Sequence, residues 1–343
     1  MKKYGVSMKR VAVVVPNWNG VHDLPACLAS LAAQTLKPQV IVVDNGSTDD
    51  STTLLERQYP DIVLIKHDRN RGYAGGINPG FMWAMTQRFN YAATFNNDAV
   101  ADKDWLKHLA GYLDHHPDTG IAAAKLLDSS GTHLDSTGES YSDWGLPFPR
   151  GRGEADTTAY DKLTDVLGAS GGASMYRVAM LQQIGLLDED FFAYYEDVDI
   201  SLRAQLAGWK VAFVPSARVY HQISATGGKI KGFFAYQTIK NYPWLLVKNM
   251  PAGIFWRILP RFLIAYGLIF GHAVQRGQAL VAIKAFGVSL VMLPQKLVER
   301  KRIQSTRTVK PSYIWSIMTH DLPPQAQGLR KLSAHVQKLK GRQ

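Results

Sequence analysis

Glu196, Asp197 and Asp199 place three carboxylates within four residues, in the run YYEDVDIS. On a helix, Glu196 and Asp199 share a face while Asp197 points elsewhere on the first turn. A carboxylate placed this way can act as a general base for an attacking hydroxyl, and like-charged neighbours raise its pKa toward that task. Acids at a helix start are also favoured by the helix dipole alone, so a structural role is equally open. Asp98, in NNDA, offers a hard oxygen suited to Mg²⁺ or Mn²⁺ on the phosphates of a nucleotide, and such a cation neutralises a departing diphosphate. The same three residues, NND, also make an ordinary loop turn. One carboxylate rarely suffices for such an ion, which draws attention to His221 in VYH; a lone histidine is otherwise structural or solvated. Asp44, in VIVVDNGSTDDS, can accept hydrogen bonds from a nucleobase or a ribose hydroxyl, with Gly46 allowing a sharp turn, or can form an Asx turn into the next helix. The glycine-rich stretch NRGYAGGIN, residues 70–78, permits close backbone approach to an anion, although it is neither GxGxxG nor a Walker loop.

The elements that must position these groups follow from hydrophobic patterning. Apolar β-rich runs at residues 11–15, 40–43, 62–65 and 91–95 alternate with helix-compatible stretches at 24–33, 51–58 and 75–88. Asp50 and Ser51 are the expected caps of the second helix. Continuous apolar strands separated by helices predict an α/β fold with a mainly parallel sheet covered on both faces. Ligands of such sheets bind beyond the carboxyl ends of the strands, where Pro16-Asn17, Asp44-Asn45 and Asn96-Asn97-Asp98 fall. From 128 to 161 the pattern dissolves into Gly, Ser, Asp and Pro, which predicts a functional lid or a disordered segment. A helical stretch at 178–184 and the acidic helix start at 195–200 follow.

Composition narrows the class. With 46% hydrophobic and 20% charged residues over 343 positions, the chain is a folded protein with room for about two domains. One cysteine, Cys27, excludes an internal disulfide and a cysteine zinc site. The basic N-terminus precedes an apolar run too short for a signal peptide, so no export is expected. Residues 294–343 hold eleven Lys and Arg against two acids, so nine of the net +11 charges sit in the tail. The remaining body is close to neutral and is no match for nucleic acid. Residues 262–274 and 279–293 are mostly apolar, and neither reaches the roughly 20 residues that span a bilayer. Arg257 and Arg261 share a helix face at the start of the first. Amphipathic helices before a basic tail predict binding to an anionic membrane surface; packing on the body or in a homo-oligomer is the alternative.

Taken in order, VVVPNWNG, VIVVDNGSTDDS, NRGYAGGIN, NNDA, GASGGASMYR, LLDEDFFAYYEDVDISLRAQLAGW and VYH resemble family 2 glycosyltransferases of the GT-A fold. The nearest likeness is to rhamnosyltransferase-like enzymes of bacterial cell-surface polysaccharide synthesis, over residues 10–244. The resemblance implies that Pro16, Asn17 and Asn19 line the nucleotide pocket, with Asn45 and Gly75 beside them and Asp44 holding the base. Asn97 and Asp98 match the DXD-type metal site, with Asn96 where the family often has Asp, and His221 matches a histidine completing that site. Asp197 matches the catalytic base, with Glu196 as runner-up, and Gly171 and Gly172 resemble part of the acceptor-side floor. The implied activity is inverting and metal-dependent. It takes a sugar such as rhamnose from a UDP- or dTDP-linked donor to a hydroxyl of a glycan or lipid-linked acceptor.

Residues 1–250 would then form the catalytic domain and 251–343 a membrane-associating or oligomerising extension, peripheral on the cytoplasmic face of the cell membrane. Two other classes stand against this one. A catalytically dead nucleotide-sugar-binding protein recruited to the membrane would have no reason to keep Asp44, Asp98, Asp197 and His221. A nucleotidyltransferase would need a basic glycine-rich loop near the N-terminus, which VVVPNWNG lacks.

Overall fold

The structure, a computed structural model, describes residues 10–162, 164–222, 230–324 and 326. Two units cluster separately: Met1–Glu139 with Pro149–Ile230, and Ser140–Phe148 with Lys231–Gln343. The tail beyond residue 326, with much of the basic charge read from the sequence, lies outside the described residues.

In the first unit the apolar runs become strands because both of their faces are covered. Along β1 (Val11–Asn17), Val11, Val13 and Val15 join Leu28, Trp105 and Leu109, while Ala12 and Val14 join Ile77, Phe81 and Tyr176 on the opposite face. There follow α1 (Leu24–Ala32), β2 (Gln39–Asp44), α2 (Ser51–Gln58), β3 (Val63–Lys66), α3 (Gly72–Thr86) and β4 (Tyr91–Phe95). The order β3-β2-β1-β4 is parallel throughout, as the sequence predicts. Its register sets Asn17 opposite Asp44.

The sheet is then extended by β5 (Ala99–Ala101), α4 (Trp105–His115), β6 (Thr119–Asp128) and β7 (Leu134–Ser136). A hairpin of β8 (Glu139–Tyr141) and β9 (Pro147–Pro149) precedes β10 (Thr164–Asp165), β11 (Ala173–Arg177), α5 (Val178–Ile184), α6 (Glu196–Leu206) and β12 (Lys210–His221). The ten-stranded sheet runs β10-β12-β6-β11-β4-β1-β2-β3, with β5 on β12 and β7 on β6. β11 is antiparallel to both neighbours, β4 and β6, and so carries Gly171 and Gly172 to the carboxyl end of β4.

Three expectations need correction. The stretch 128–161 is not disordered: it holds β7, β8 and β9, and Lys125 is tied to Asp156 and Asp161 at 2.7 Å each. The helix expected at 75–88 begins three residues earlier, at Gly72, and ends at Thr86, so most of the glycine-rich run lies within its first turns. At α2 neither Asp50 nor Ser51 caps through its side chain; the Asp49 carboxylate accepts from Ser51 N at 3.0 Å.

Apart from the β8–β9 hairpin residues Ser140–Phe148, the second unit is helical in its described residues. It contains α7 (Phe233–Asn249), α8 (Ala252–Gln275), α9 (Ala279–Val291), α10 (Leu293–Ser305) and α11 (Pro311–Ile317). Helix α8 turns Ile254, Ile258, Phe262, Ala265 and Tyr266 inward, yet Trp256, Leu263, Ile264 and Leu268 remain exposed. Helix α9 likewise buries Ala282, Ala285 and Ser289 and exposes Leu280, Ile283, Phe286 and Leu290. The expectation that neither apolar stretch is long enough to span is corrected for the first. Helix formation runs through Arg257, Pro260 and Arg261, and the resulting 24 residues are long and apolar enough to cross a membrane by length and composition. Helices α9 and α10 pass the same test only as a pair bent by 51°.

Candidate active site

Four strand ends and one helix start converge in the first unit. Asn17, at the end of β1, donates from Nδ2 to Asp44 Oδ1 at 3.0 Å and to Ser47 Oγ at 3.2 Å. Its Oδ1 accepts from Asn97 Nδ2 at 2.9 Å, so one side chain links the ends of three strands. Ser47 N donates to Asp44 Oδ2 at 3.1 Å, closing the Asx turn after β2. Asn19, at a left-handed φ of 53°, accepts from Thr48 N at 2.7 Å. Asn45 is committed to the glycine-rich segment: it accepts from Arg71 N at 2.9 Å and donates to Gly72 O at 2.8 Å. Pro16 lies against this segment, where a Cβ added to Gly76 would stand 3.1 Å from Pro16 Cβ. The neighbouring Gly75 turns its carbonyl to His67 Nε2 at 3.1 Å. Close approach of backbone is therefore built in here, as the glycines predict.

His221 ends β12, which pairs with β5 so that His221 stands opposite Ala99, next to Asp98. Its Nε2 lies 3.1 Å from Asp98 Oδ1 and 3.0 Å from Asn96 Nδ2. Its Nδ1 lies 2.9 Å from Asp135 Oδ2, and Asp135 also pairs with Arg152 at 2.8 Å. Burial opposes charge on this imidazole, but the hydrogen bonds to Asp135 and Asp98 outweigh it and raise the pKa to about 9. A carboxylate oxygen and an imidazole nitrogen facing each other suit Mg²⁺ or Mn²⁺, and the imidazole's other nitrogen is oriented by a carboxylate as metal-bound histidines usually are. Beside them Asn96 Oδ1 is buried with no hydrogen-bond partner. The residues fit a divalent cation.

Asp197 opens α6. Its Oδ2 accepts from Gly171 N at 2.9 Å and its Oδ1 from Val198 N at 2.8 Å. Burial raises its pKa above the ordinary carboxylate range against these hydrogen bonds. Desolvation, rather than the like-charged neighbours expected from the sequence, is thus the main cause. The remaining acids have separate places. Asp199 is fully buried in an ion pair with Arg203 at 2.8 Å, and Glu196 is buried in the same first turn. The chain enters α6 through Phe192, Tyr194 and Tyr195, all at left-handed φ of 64°, 66° and 76°. Such conformations cost about 1–3 kcal/mol each and collect at functional sites.

Gly171 and Gly172 connect the two halves. Gly171 N holds Asp197, its carbonyl accepts from Tyr73 Oη, and Gly172 O accepts from Asn96 N at 2.9 Å. The contacts above thus link Asn17, Asp44, Asn97, Asp98, His221, Asp197, Gly171 and Gly172, whereas Asp199 is turned to Arg203. The site adds Tyr73, from the glycine-rich motif itself, and Asp135, Glu139 and Arg152, which belong to no motif and all sit in the stretch whose pattern dissolves.

A mainly parallel sheet with acids at its strand ends and an acidic helix start beside them has the architecture of a nucleotide-sugar-dependent glycosyltransferase of the GT-A type. Residues 12–185, more than half of the chain, match the model of glycosyl transferase family 2, and the chain belongs to that family. It is a hexosyltransferase that uses nucleotide-sugar donors. It is 28% identical over 240 residues to the N-acetylglucosaminyl-diphospho-decaprenol L-rhamnosyltransferase of Mycobacterium tuberculosis, covering 63% of this chain and 77% of that one. It is also 28% identical over 228 residues to the O-antigen biosynthesis protein RfbC of Myxococcus xanthus, of which it spans 18%. Among solved structures, Staphylococcus aureus TarS 1–349 with UDP-GlcNAc has a TM-score of 0.56 at 17% identity, over 87% of this chain and 91% of that one. The mannosyltransferase PcManGT of Pyrobaculum calidifontis, with GDP-Man and Mn²⁺, has a TM-score of 0.53 at 15% identity, over 88% and 86%. These likenesses agree with the fold.

Proposed function

We propose that the protein is an inverting, metal-dependent transferase. It moves a sugar from a UDP- or dTDP-linked donor to a hydroxyl of a lipid-linked or glycan acceptor. The supporting observation is the spatial relation of Asp197 to the Asp98–His221 pair, joined through Gly171, Gly172 and Asn96. Asp197 is the base: it is half-buried with a raised pKa, whereas Glu196 is 4% exposed. Its carboxylate takes the proton of the acceptor hydroxyl, which attacks the anomeric carbon on the face opposite the nucleoside diphosphate. Asp44, Asn17, Asn19, Asn45, Pro16, Gly75 and Asn97 shape the nucleotide side, and Gly171 and Gly172 the acceptor side. Asp98 and His221 would hold Mg²⁺ or Mn²⁺, which would neutralise charge on the departing diphosphate. Rhamnose as the sugar is supported by the likeness to the mycobacterial rhamnosyltransferase.

The C-terminal residues, 251–343, place the enzyme on the cytoplasmic face of the cell membrane, peripherally. The support is the exposed apolar side of α8 and α9, including Trp256, Leu263, Leu268, Leu280 and Ile283, followed in the sequence by basic residues. Thermal unfolding with a panel of nucleoside diphosphates and nucleotide sugars, with and without Mn²⁺, tests the donor reading. A ligand at 100 times its Kd stabilises by about 2.7 kcal/mol, a readily measured shift. A metal-dependent rise with UDP or dTDP compounds is expected; no rise with any of them overturns the donor assignment.

A further inference from the structure

The second unit holds a cavity of about 360 Å³ lined by Ala252, Leu297, Arg300, Lys301, Gln304 and Arg307. The four α10 residues 297, 300, 301 and 304 fall at helical spacing on one face, so the lining follows from the sequence once the helix forms. Three of the six lining groups are cations and none is an acid. Glu299, the acid of this helix, is engaged with Lys248 at 3.1 Å and Lys296 at 2.9 Å. Among the described residues no carboxylate pairs with Arg300, Lys301 or Arg307.

Arg300 is fixed: one of its nitrogens donates to Val247 O and to Met250 O at 2.7 Å, and its guanidinium lies 5.6 Å from the Phe255 ring centroid. Arg307 donates to Gln304 Oε1 at 3.3 Å, which leaves most of its donors unspent. Packing like charges together without a counter-ion costs free energy, and a phosphate restores it with charge-assisted hydrogen bonds. The lining also has an apolar part, Ala252 and Leu297, the latter 50% exposed, and Trp256, one turn on from Ala252 along α8, is 67% exposed.

We propose that this cavity binds the phosphate headgroup of an anionic lipid, with the tail lying along Leu297 and the exposed face of α8. The assignment deepens the membrane reading above and rests on it for its biological setting, but it is separable by experiment. The full-length chain is titrated calorimetrically in EDTA, which silences a metal-held diphosphate, with soluble short-chain phosphatidic acid, short-chain phosphatidylcholine and inorganic phosphate. Phosphatidic acid should bind at least about tenfold more tightly than either comparison ligand, and K301E/R307E should remove that difference. Arg300 is left intact because it caps α7, and an unchanged Tm verifies that the double variant is folded.

Equal binding by the variant, or by phosphatidylcholine, overturns the site. Equal binding of inorganic phosphate shows a free-anion site and overturns the lipid assignment. Flotation with neutral and phosphatidylglycerol-containing vesicles separates the two readings. L263D/L268D should lose both kinds of vesicle, whereas K301E/R307E should lose only the gain given by the anionic lipid. A chain that ignores all vesicles yet binds short-chain phosphatidic acid refutes the membrane reading and leaves the cavity assignment standing.

Discussion

Asp135 Oδ2 stands 2.9 Å from His221 Nδ1, on the side of the ring away from Asp98, and so leaves Nε2 facing Asp98 Oδ1 at 3.1 Å. Asp135 is 2% exposed, and burial would raise its pKa; the hydrogen bond to His221 and the charge of Arg152 instead hold it below the ordinary value. It is therefore a charged, oriented partner for the imidazole. Replacing Asp135 by Asn should weaken Mn²⁺ binding by about 10–100-fold, as loss of such outer partners commonly does. A Mn²⁺ titration followed by calorimetry reads this directly; unchanged affinity would leave Asp135 a purely structural residue.

Asp197→Asn keeps the shape of the carboxylate and removes its basicity. Turnover should fall by about 10²–10⁴-fold, while the affinity for the nucleotide donor stays within error. Because burial raises the Asp197 pKa, the acid limb of kcat/KM should lie above the ordinary aspartate value of about 3.9. Activity should be lost as pH drops through that limb. A pH–rate profile checks it, and near wild-type turnover in Asp197→Asn refutes the assignment.

Glu139 is buried, and burial, reinforced by the charge of Asp197, raises its pKa well above the ordinary value. The folded chain thus retains a proton that the unfolded chain releases. The associated stability is fully present below the unfolded pKa and is lost as pH rises through the folded one. Glu139→Gln keeps the contact with Ser136 and removes the charge. Urea unfolding should show the variant at least as stable as wild type at alkaline pH, with a weaker dependence on pH.

Gly80 sits where α3 crosses β1. A Cβ added there would stand 2.4 Å from Val14 Cγ1, in a strand covered on both faces. Gly80→Ala should cost about 1–3 kcal/mol by overpacking. Gly171→Ala is a different case: its Cβ would meet the Tyr73 ring at 3.1 Å, and the residue donates to Asp197. The expected outcome is a reduced kcat with a smaller change in denaturation midpoint, measured on the same preparation.

Much of this was legible in the chain because local pattern and tertiary environment agree. A strand buried on both faces must be apolar at every position, so residues 11–15 and 40–43 announce themselves, and polar residues at their ends mark where the ligand side begins. Residues 128–161 gave no such sign. Their order comes from long-range pairs, Lys125 with Asp156 and Asp161, Arg218 with Asp156 and Arg152 with Asp135, and such pairs have no period. Helix α8 was read too short because Arg257, Pro260 and Arg261 look like an interruption. In the folded chain Arg261 meets Asp143 and Arg257 lies 3.9 Å from the Trp315 ring centroid, so the helix runs through them.

The order and spacing of the seven motifs determined the family, the parallel half of the sheet and the acids at its strand ends, since these depend on residue type and short-range periodicity. Tertiary structure alone decided how each acid is surrounded. Asp197 is half-buried and held by two backbone donors, Asp199 is fully buried against Arg203, and Glu196 is buried in the same turn. Strand pairing brings His221 to Asp98, and a segment without any motif supplies the carboxylate that orients it. A side chain's charge state and direction are set by what surrounds it, and those neighbours are dozens of positions away along the chain.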